Sequence, residues 1–242
     1  MKYSNKNIIV TGASTGIGRE LAIAFAKEGA NVALLARSAE RLNQTKDLID
    51  EFGGKSWVFP INLRKLDEIN NCVKLVNNLW NSIHIIIHAA GVWHNGNIVY
   101  AGVPLIDTPS EQIDEVLDVG IRAPMHLTKL FLPNLIKNKG AKIICISGTF
   151  ASGGAGWLHY YISKLALEHF TIGLAQELRQ YEIQVNCISP SDTNTEALRK
   201  FFPEDAKTAL PTTEIANLAL YLASPAADNI TGQVIVIKNK YA

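Results

Sequence analysis

The sequence predicts an α/β fold, a doubly wound parallel sheet of seven strands with helices on both faces, forming a three-layer αβα sandwich. Three observations predict it: seven short β-branched runs, a helical pattern between most successive runs, and near-continuous apolar character within each run. Strands covered on both faces read this way, whereas half-exposed strands alternate apolar and polar residues. Strand–helix alternation requires right-handed crossovers and hence a parallel sheet.

The predicted strands are residues 7–10, 31–35, 56–60, 83–87, 142–146, 184–188 and 233–237. The predicted helices are residues 16–27, 39–52, 65–80, 110–138, 158–180 and 212–222. In the first helix Ile17, Leu21, Ala24 and Phe25 recur at three- and four-residue spacing, which draws one apolar stripe along its length. Residues 92–109 and 190–211 read as long irregular loops. Each follows the carboxyl end of a strand, the edge where open α/β sheets hold ligands, so both are candidate walls of a substrate site.

The chain has 242 residues, 48% of them apolar and 19% charged, with a formal net charge of +1. That balance suits one folded domain over residues 1–242 and argues against disorder. It gives no pull toward nucleic acid or acidic membranes, and no apolar run reaches the ~18 residues of a membrane span. The polar start lacks the apolar stretch of a secretory signal. Cys72, Cys145 and Cys187 lie far apart, which disfavours a disulfide framework and suits the cytoplasm. The histidines, His84, His88, His94, His126, His159 and His169, show no metal-binding spacing, and no metal is expected.

The first predicted strand runs into Thr11-Gly12-Ala13-Ser14-Thr15-Gly16-Ile17-Gly18 and then into the first helix. Gly12 permits a tight turn, Gly16 lets backbone approach a pyrophosphate, and Gly18 lets the helix pack on the sheet. The free N–H groups of the helix start face the anion. In this strand–turn–helix context the pattern predicts dinucleotide binding and a Rossmann-like sheet, with Gly12, Ser14, Thr15, Gly16, Ile17 and Gly18 as contacts. An acid at the end of the second strand would favour NAD(H) by binding both ribose hydroxyls. Arg37 and Ser38 stand there instead, a planar guanidinium fork and a hydroxyl suited to a 2′-phosphate. NADP(H) is therefore the preferred cofactor, with NAD(H) the alternative.

This loop, followed downstream by Tyr160-x-x-x-Lys164, resembles the short-chain dehydrogenase/reductase family. The resemblance spans nearly the whole chain and takes in Ala89-Ala90-Gly91, Ser147, Pro190 and Thr195 in the family's order and intervals. It implies hydride transfer between NAD(P)H and a small-molecule carbonyl or alcohol, with Tyr160 as general acid/base. A carbonyl that accepts hydride gains negative charge on oxygen and needs a proton donor within reach. Lys164 lies one helical turn past Tyr160, where its ammonium can stand beside the phenol. The resemblance further implies that Lys164 holds the nicotinamide ribose and that Ser147 hydrogen-bonds the substrate oxygen. It places Asn62 near adenine, Ala89, Ala90, Gly91, Pro190 and Thr195 along the cofactor, and a homodimer or homotetramer as the assembly.

The chain departs from the family pattern in several places. Gly120 stands where the family carries a helix-kinking asparagine, which implies a proton relay through the Gly120 carbonyl alone and predicts that Gly120→Asn is at least as active. Aligning the strand places Gly148 at the catalytic serine, whereas counting back from Tyr160 places Ser147 there, with Thr149 as the fallback hydroxyl. His88 replaces an asparagine, and Ser191 replaces a glycine after Pro190. Trp93, His94, Phe150 and Trp157 flank the predicted chemistry, which suggests a substrate with an apolar or ring-bearing body. A second reading is a catalytically degenerate relative that binds dinucleotide as a sensor or scaffold. A nucleic-acid-binding reading finds no basic stripe to support it.

Overall fold

The computed structural model describes residues 1–150 and 153–239. The strands are β1 (Asn7–Thr11), β2 (Asn31–Ala36), β3 (Lys55–Pro60), β4 (Ile85–His88), β5 (Lys142–Ile146), β6 (Gln184–Pro190) and β7 (Val234–Ile237). All pair in parallel, in the order β3-β2-β1-β4-β5-β6-β7. The winding reverses between β1 and β4, so a crevice opens where Thr11 and His88 lie side by side at the strands' carboxyl ends.

Residue parity in each strand sets the two helical layers. On one face, Ile8, Val10, Val32 and Leu34 pack beneath α1 (Gly16–Lys27), α2 (Ala39–Asp50) and α9 (Thr212–Leu222). On the other, Ile9, Ala33, Leu35, Ile143 and Cys145 meet α3 (Leu66–Leu79), α4 (Ser110–Leu117), α5 (Ala123–Ile136) and α6 (Leu158–Leu178). Both faces of the inner strands are buried, as their unbroken apolar runs require, whereas the edge strands β3 and β7 are only partly covered.

Two segments differ from the sequence expectation. The helix predicted over 110–138 is broken into α4 and α5 by a π-helical turn, Asp118–Arg122, where the Ala123 N–H bonds the Asp118 carbonyl. Pro124 has no N–H, so the α-helical bond to the Gly120 carbonyl cannot form and the wider turn takes its place. The 190–211 segment is not wholly irregular: it folds α7 (Glu196–Phe201), capped by the Thr195 hydroxyl, and α8 (Pro203–Ala206). The 92–109 segment keeps its loop character, with a bridge between His94 and Val99 and one 3-10 turn, Leu105–Asp107.

Candidate active site

A cavity of about 430 Å³ runs along the carboxyl ends of the central strands. Its floor is the glycine loop, and the loop's geometry explains its composition. Gly12 has φ +71°, and a Cβ there would lie 2.9 Å from the Ala90 Cα. Any side chain at Gly18 would collide with the Gly12 carbonyl. The Thr11 hydroxyl accepts from the Ala89 and Ala90 N–H groups, both at 3.1 Å, and so ties the β4 turn to the loop. No acid occupies the first turn of α1, and Thr15 at its N-cap makes no side-chain cap bond. That cradle suits an anion such as a pyrophosphate.

Tyr160 and Lys164 enter the same cavity from α6. Lys164 is buried, and its Nζ lies 5.2 Å from the Tyr160 ring centre while donating to the Ile146 carbonyl at 3.1 Å. Gly91 lets this lysine through, since a Cβ at 91 would come within 3.0 Å of its Nζ. The Ser163 hydroxyl donates to the Tyr160 carbonyl at 2.7 Å, and Phe150 and Trp157 lie beside the phenol ring.

Ser147 also lines the cavity, but its hydroxyl points elsewhere. It donates to Glu168 Oε1 at 2.7 Å, and the Ser189 hydroxyl donates to the same oxygen at 3.0 Å. Strand parity is the reason. Ser147 continues the Ile143 and Cys145 side of β5, which faces α6. A Cβ at Gly148 would have Lys164 and Phe150 as its nearest neighbours, both at 4.0 Å, so position 148 faces the lysine. The Thr149 hydroxyl is likewise turned away and donates to the Ser189 carbonyl at 3.0 Å. A substrate oxygen meets the Ser147 hydroxyl only if that hydroxyl leaves Glu168.

Position 120 overturns another expectation. A Cβ there would lie 2.9 Å from both Cβ and Oγ of Ser163, so Gly120→Asn, expected from sequence to be at least as active, would collide with α6. The close approach of the π turn to α6 is what requires glycine.

Gly12, Ser14, Thr15, Gly16, Ile17, Gly18, Arg37, Ser38, Ala89, Ala90, Gly91 and Thr195 all line the cavity. Asn62 and Pro190 are not among its lining residues, although Ile61 and Leu63 are. The Asn62 side chain is turned inward to accept from the Arg64 N–H at 3.1 Å. Ser38 caps α2 by accepting from the Arg41 N–H at 3.2 Å, and Arg37 pairs with Glu115 at 3.0 Å.

Several lining residues were not singled out by sequence. Arg41 stands one turn into α2, and the Ser38 cap was the signal that could have placed it. Lys200 and Phe201 come from α7, and Lys200 reaches across to the Gly96 carbonyl at 2.5 Å. The Arg19–Glu196 pair, at 3.0 Å, fastens α7 to α1. Trp93 packs against Phe201, Phe202 and Trp157 and forms an aromatic wall beside Tyr160. His94 sits in this wall, its pKa lowered by burial and by Lys200, Arg37 and Arg41. The sequence marked residues 190–211 as a candidate wall, but not that Lys200 and Phe201 of α7 are the residues that face the cavity.

A family model described as short chain dehydrogenase matches residues 6–206. The 7alpha-hydroxysteroid dehydrogenase of Escherichia coli strain K12 is 28% identical over 248 residues, covering 98% of this chain and 94% of that protein. The 3-oxoacyl-[acyl-carrier-protein] reductase FabG of Staphylococcus aureus strain Mu50 is 30% identical over 241 residues, covering 95% of each. Among solved structures, a short chain dehydrogenase of Escherichia coli CFT073 complexed with NADPH superposes with a TM-score of 0.87 at 29% identity, covering 97% of each chain.

Proposed function

This chain belongs to the short-chain dehydrogenase family of oxidoreductases, and from that premise we propose that it transfers a hydride between NADP(H) and a carbonyl or alcohol carbon, with Tyr160 moving the proton. The observation that carries this reading is the meeting of the glycine loop, Tyr160 and Lys164 in the wall of one cavity. The bound nicotinamide would supply the hydride in reduction and receive it in oxidation.

The chain's own residues have separate tasks in this reading. The loop backbone from Gly12 to Gly18 would hold the pyrophosphate, with Ser14 and Thr15 in the same loop and Thr195 packed against Gly16. Arg37 and Arg41, both in the cavity wall, would meet a 2′-phosphate on the adenosine ribose. As hydride reaches the carbonyl carbon, the C=O π pair moves onto oxygen, and the Tyr160 hydroxyl gives its proton to that oxygen. Lys164, held by the Ile146 carbonyl, sets an ammonium beside the phenolate that results. In the alcohol-to-carbonyl direction the same atoms move in reverse.

Residues 92–109 and α7 form the substrate walls of the single domain in this reading. Trp93 and Phe201 favour an apolar, ring-bearing body over a small charged carbonyl. A hydroxysteroid, the compound in one relative's name, is one such ring alcohol. Met125 of α5 with Ile162 and Ile172 of α6 leave apolar surface exposed, which favours pairing of two copies through these helices.

The test is an NADPH-oxidation screen over aldehydes and cyclic or aromatic ketones, with Tyr160→Phe beside the parent. Turnover by the parent that falls by about 10²-fold or more in the variant is expected. Equal rates would remove Tyr160 as acid. Dinucleotide binding with no turnover on any substrate would favour the sensor or scaffold reading.

A further inference from the structure

At the ribose end of the cavity, one ion pair ties the end of β2 to α4. Arg37 Nη1 lies 3.0 Å from Glu115 Oε1, and the two side chains differ in setting: 58% of Arg37 is exposed, but only 12% of Glu115. The other oxygen of Glu115 accepts from the Tyr100 hydroxyl at 2.8 Å, and Tyr100 is buried. That phenol stays a donor, since burial and the Glu115 carboxylate push its pKa up to about 12. Glu115 is thus an oriented anion fixed from behind, and Arg37 is the solvent-facing partner of the pair.

Arg37 is also the guanidinium assigned above to a 2′-phosphate. A phosphate arriving there meets a carboxylate already in possession. It must displace Glu115 or share the guanidinium with a like charge close by, and either outcome weakens its binding. A ribose without that phosphate leaves the Arg37–Glu115 pair intact.

We propose that Glu115, oriented by Tyr100, sets the cofactor preference of this chain by competing with the 2′-phosphate for Arg37, so that NADH is accepted alongside NADPH. The proposal rests on the cofactor reading above and narrows it to a residue on α4, outside the glycine loop and outside the chemistry. Glu115→Gln keeps the shape of the side chain and the Tyr100 hydrogen bond but removes the charge. Calorimetry at low salt would measure four ligands on parent and variant: NADPH, NADH, 2′,5′-ADP and 5′-AMP.

NADPH and 2′,5′-ADP are expected to bind Glu115→Gln about fivefold more tightly than the parent, the worth of one exposed ion pair. NADH and 5′-AMP should change by less than about twofold, and the gain should shrink at high salt. Tyr100→Phe, which loosens Glu115 without removing it, should shift the same two ligands in the same direction by less. If Glu115→Gln fails to fold by its thermal transition, the Tyr100→Phe result decides. Unchanged NADPH affinity overturns the proposal. So does a loss, which would mean that Glu115 aims Arg37 at the phosphate. A parent that binds none of the four ligands would instead overturn the cofactor reading itself.

Discussion

Replacing Gly120 by alanine places a methyl carbon 2.9 Å from both the Cβ and the Oγ of Ser163. The Oγ can turn away about χ1, but the Cβ is fixed to the α6 backbone, so α6 or the π turn must shift to admit it. Overpacking of this kind costs about 1–3 kcal/mol. Alanine recovers about 1 kcal/mol of the helix propensity that glycine lacks. The balance is a net loss of about 1 kcal/mol, a fall in Tm of about 2–4 °C for a domain of this size. Function should suffer more than stability. Ser163 donates to the Tyr160 carbonyl at 2.7 Å, so displacing Ser163 displaces the turn that aims the phenol. A misplacement approaching 1 Å at a reacting group can cost about 10²-fold in rate, and a kcat reduced at least tenfold is expected. The assay pairs thermal melting with ketone reduction for Gly120→Ala, Ser163→Gly and the double variant. Ser163→Gly removes the clashing atoms, so the double variant should recover part of the stability lost in Gly120→Ala, giving a favourable coupling energy. A Gly120→Ala protein that melts higher than the parent and keeps its kcat would refute the reasoning, because that is how an unobstructed helical glycine behaves.

Two other expectations concern residues beside the site. Gly148→Ser adds a hydroxyl on the side of β5 that faces Lys164, at a position with van der Waals room for a Cβ and no positive φ. With a second donor available to the substrate oxygen, kcat/KM should rise by about tenfold, whereas Ser147→Ala, whose hydroxyl serves Glu168, should change it by less than about threefold; a hundredfold loss in Ser147→Ala would reverse these assignments. His88 is buried, with Nε2 at 2.9 Å from the Thr128 hydroxyl and Nδ1 lacking a partner among the described residues, and burial lowers its pKa to about 4. In the unfolded chain it titrates near ~6.5, so between these values the unfolded state holds the extra proton and stability falls as pH falls. The contribution is fully present above pH ~6.5, with about 2 kcal/mol lost by pH ~5 and about 3 kcal/mol once pH reaches the folded value. Urea melts over that range should flatten in His88→Asn, and an unchanged slope would assign the pH dependence to other groups.

The parts of the molecule legible in the sequence are those fixed by short-range geometry. The sheet followed from apolar runs whose neighbours are set by right-handed crossovers, and the glycine loop followed from turn and packing demands within a few residues. Tyr160 and Lys164 were legible because four residues on one helix form a local relation that tertiary structure does not alter. Arg41 is a local consequence of Ser38, since a capping serine fixes where the first turn of α2 points.

What stayed hidden depends on which way a side chain turns and on what lies opposite it. Counting residues back from Tyr160 placed a serine at the expected interval, yet interval says nothing of direction. On a strand the side chain reverses with each residue, so a loop shorter by one residue carries the serine to the far face. Ser147 therefore kept the spacing and lost the orientation, and Glu168, one turn past Lys164, became its partner. The Arg37–Glu115 pair joins residues 78 apart in sequence, so neither residue alone discloses it. An arginine at the end of β2 reads as a phosphate ligand until the carboxylate opposite is known. Its meaning for cofactor choice then depends on how much charge Glu115 leaves unclaimed. The same holds at position 120, where an absent amide suggested a relay through the Gly120 carbonyl alone and the packing of Ser163 gives the steric reason for glycine. In each case the residue type was readable and its task was not, because the task is set by a contact made across the fold.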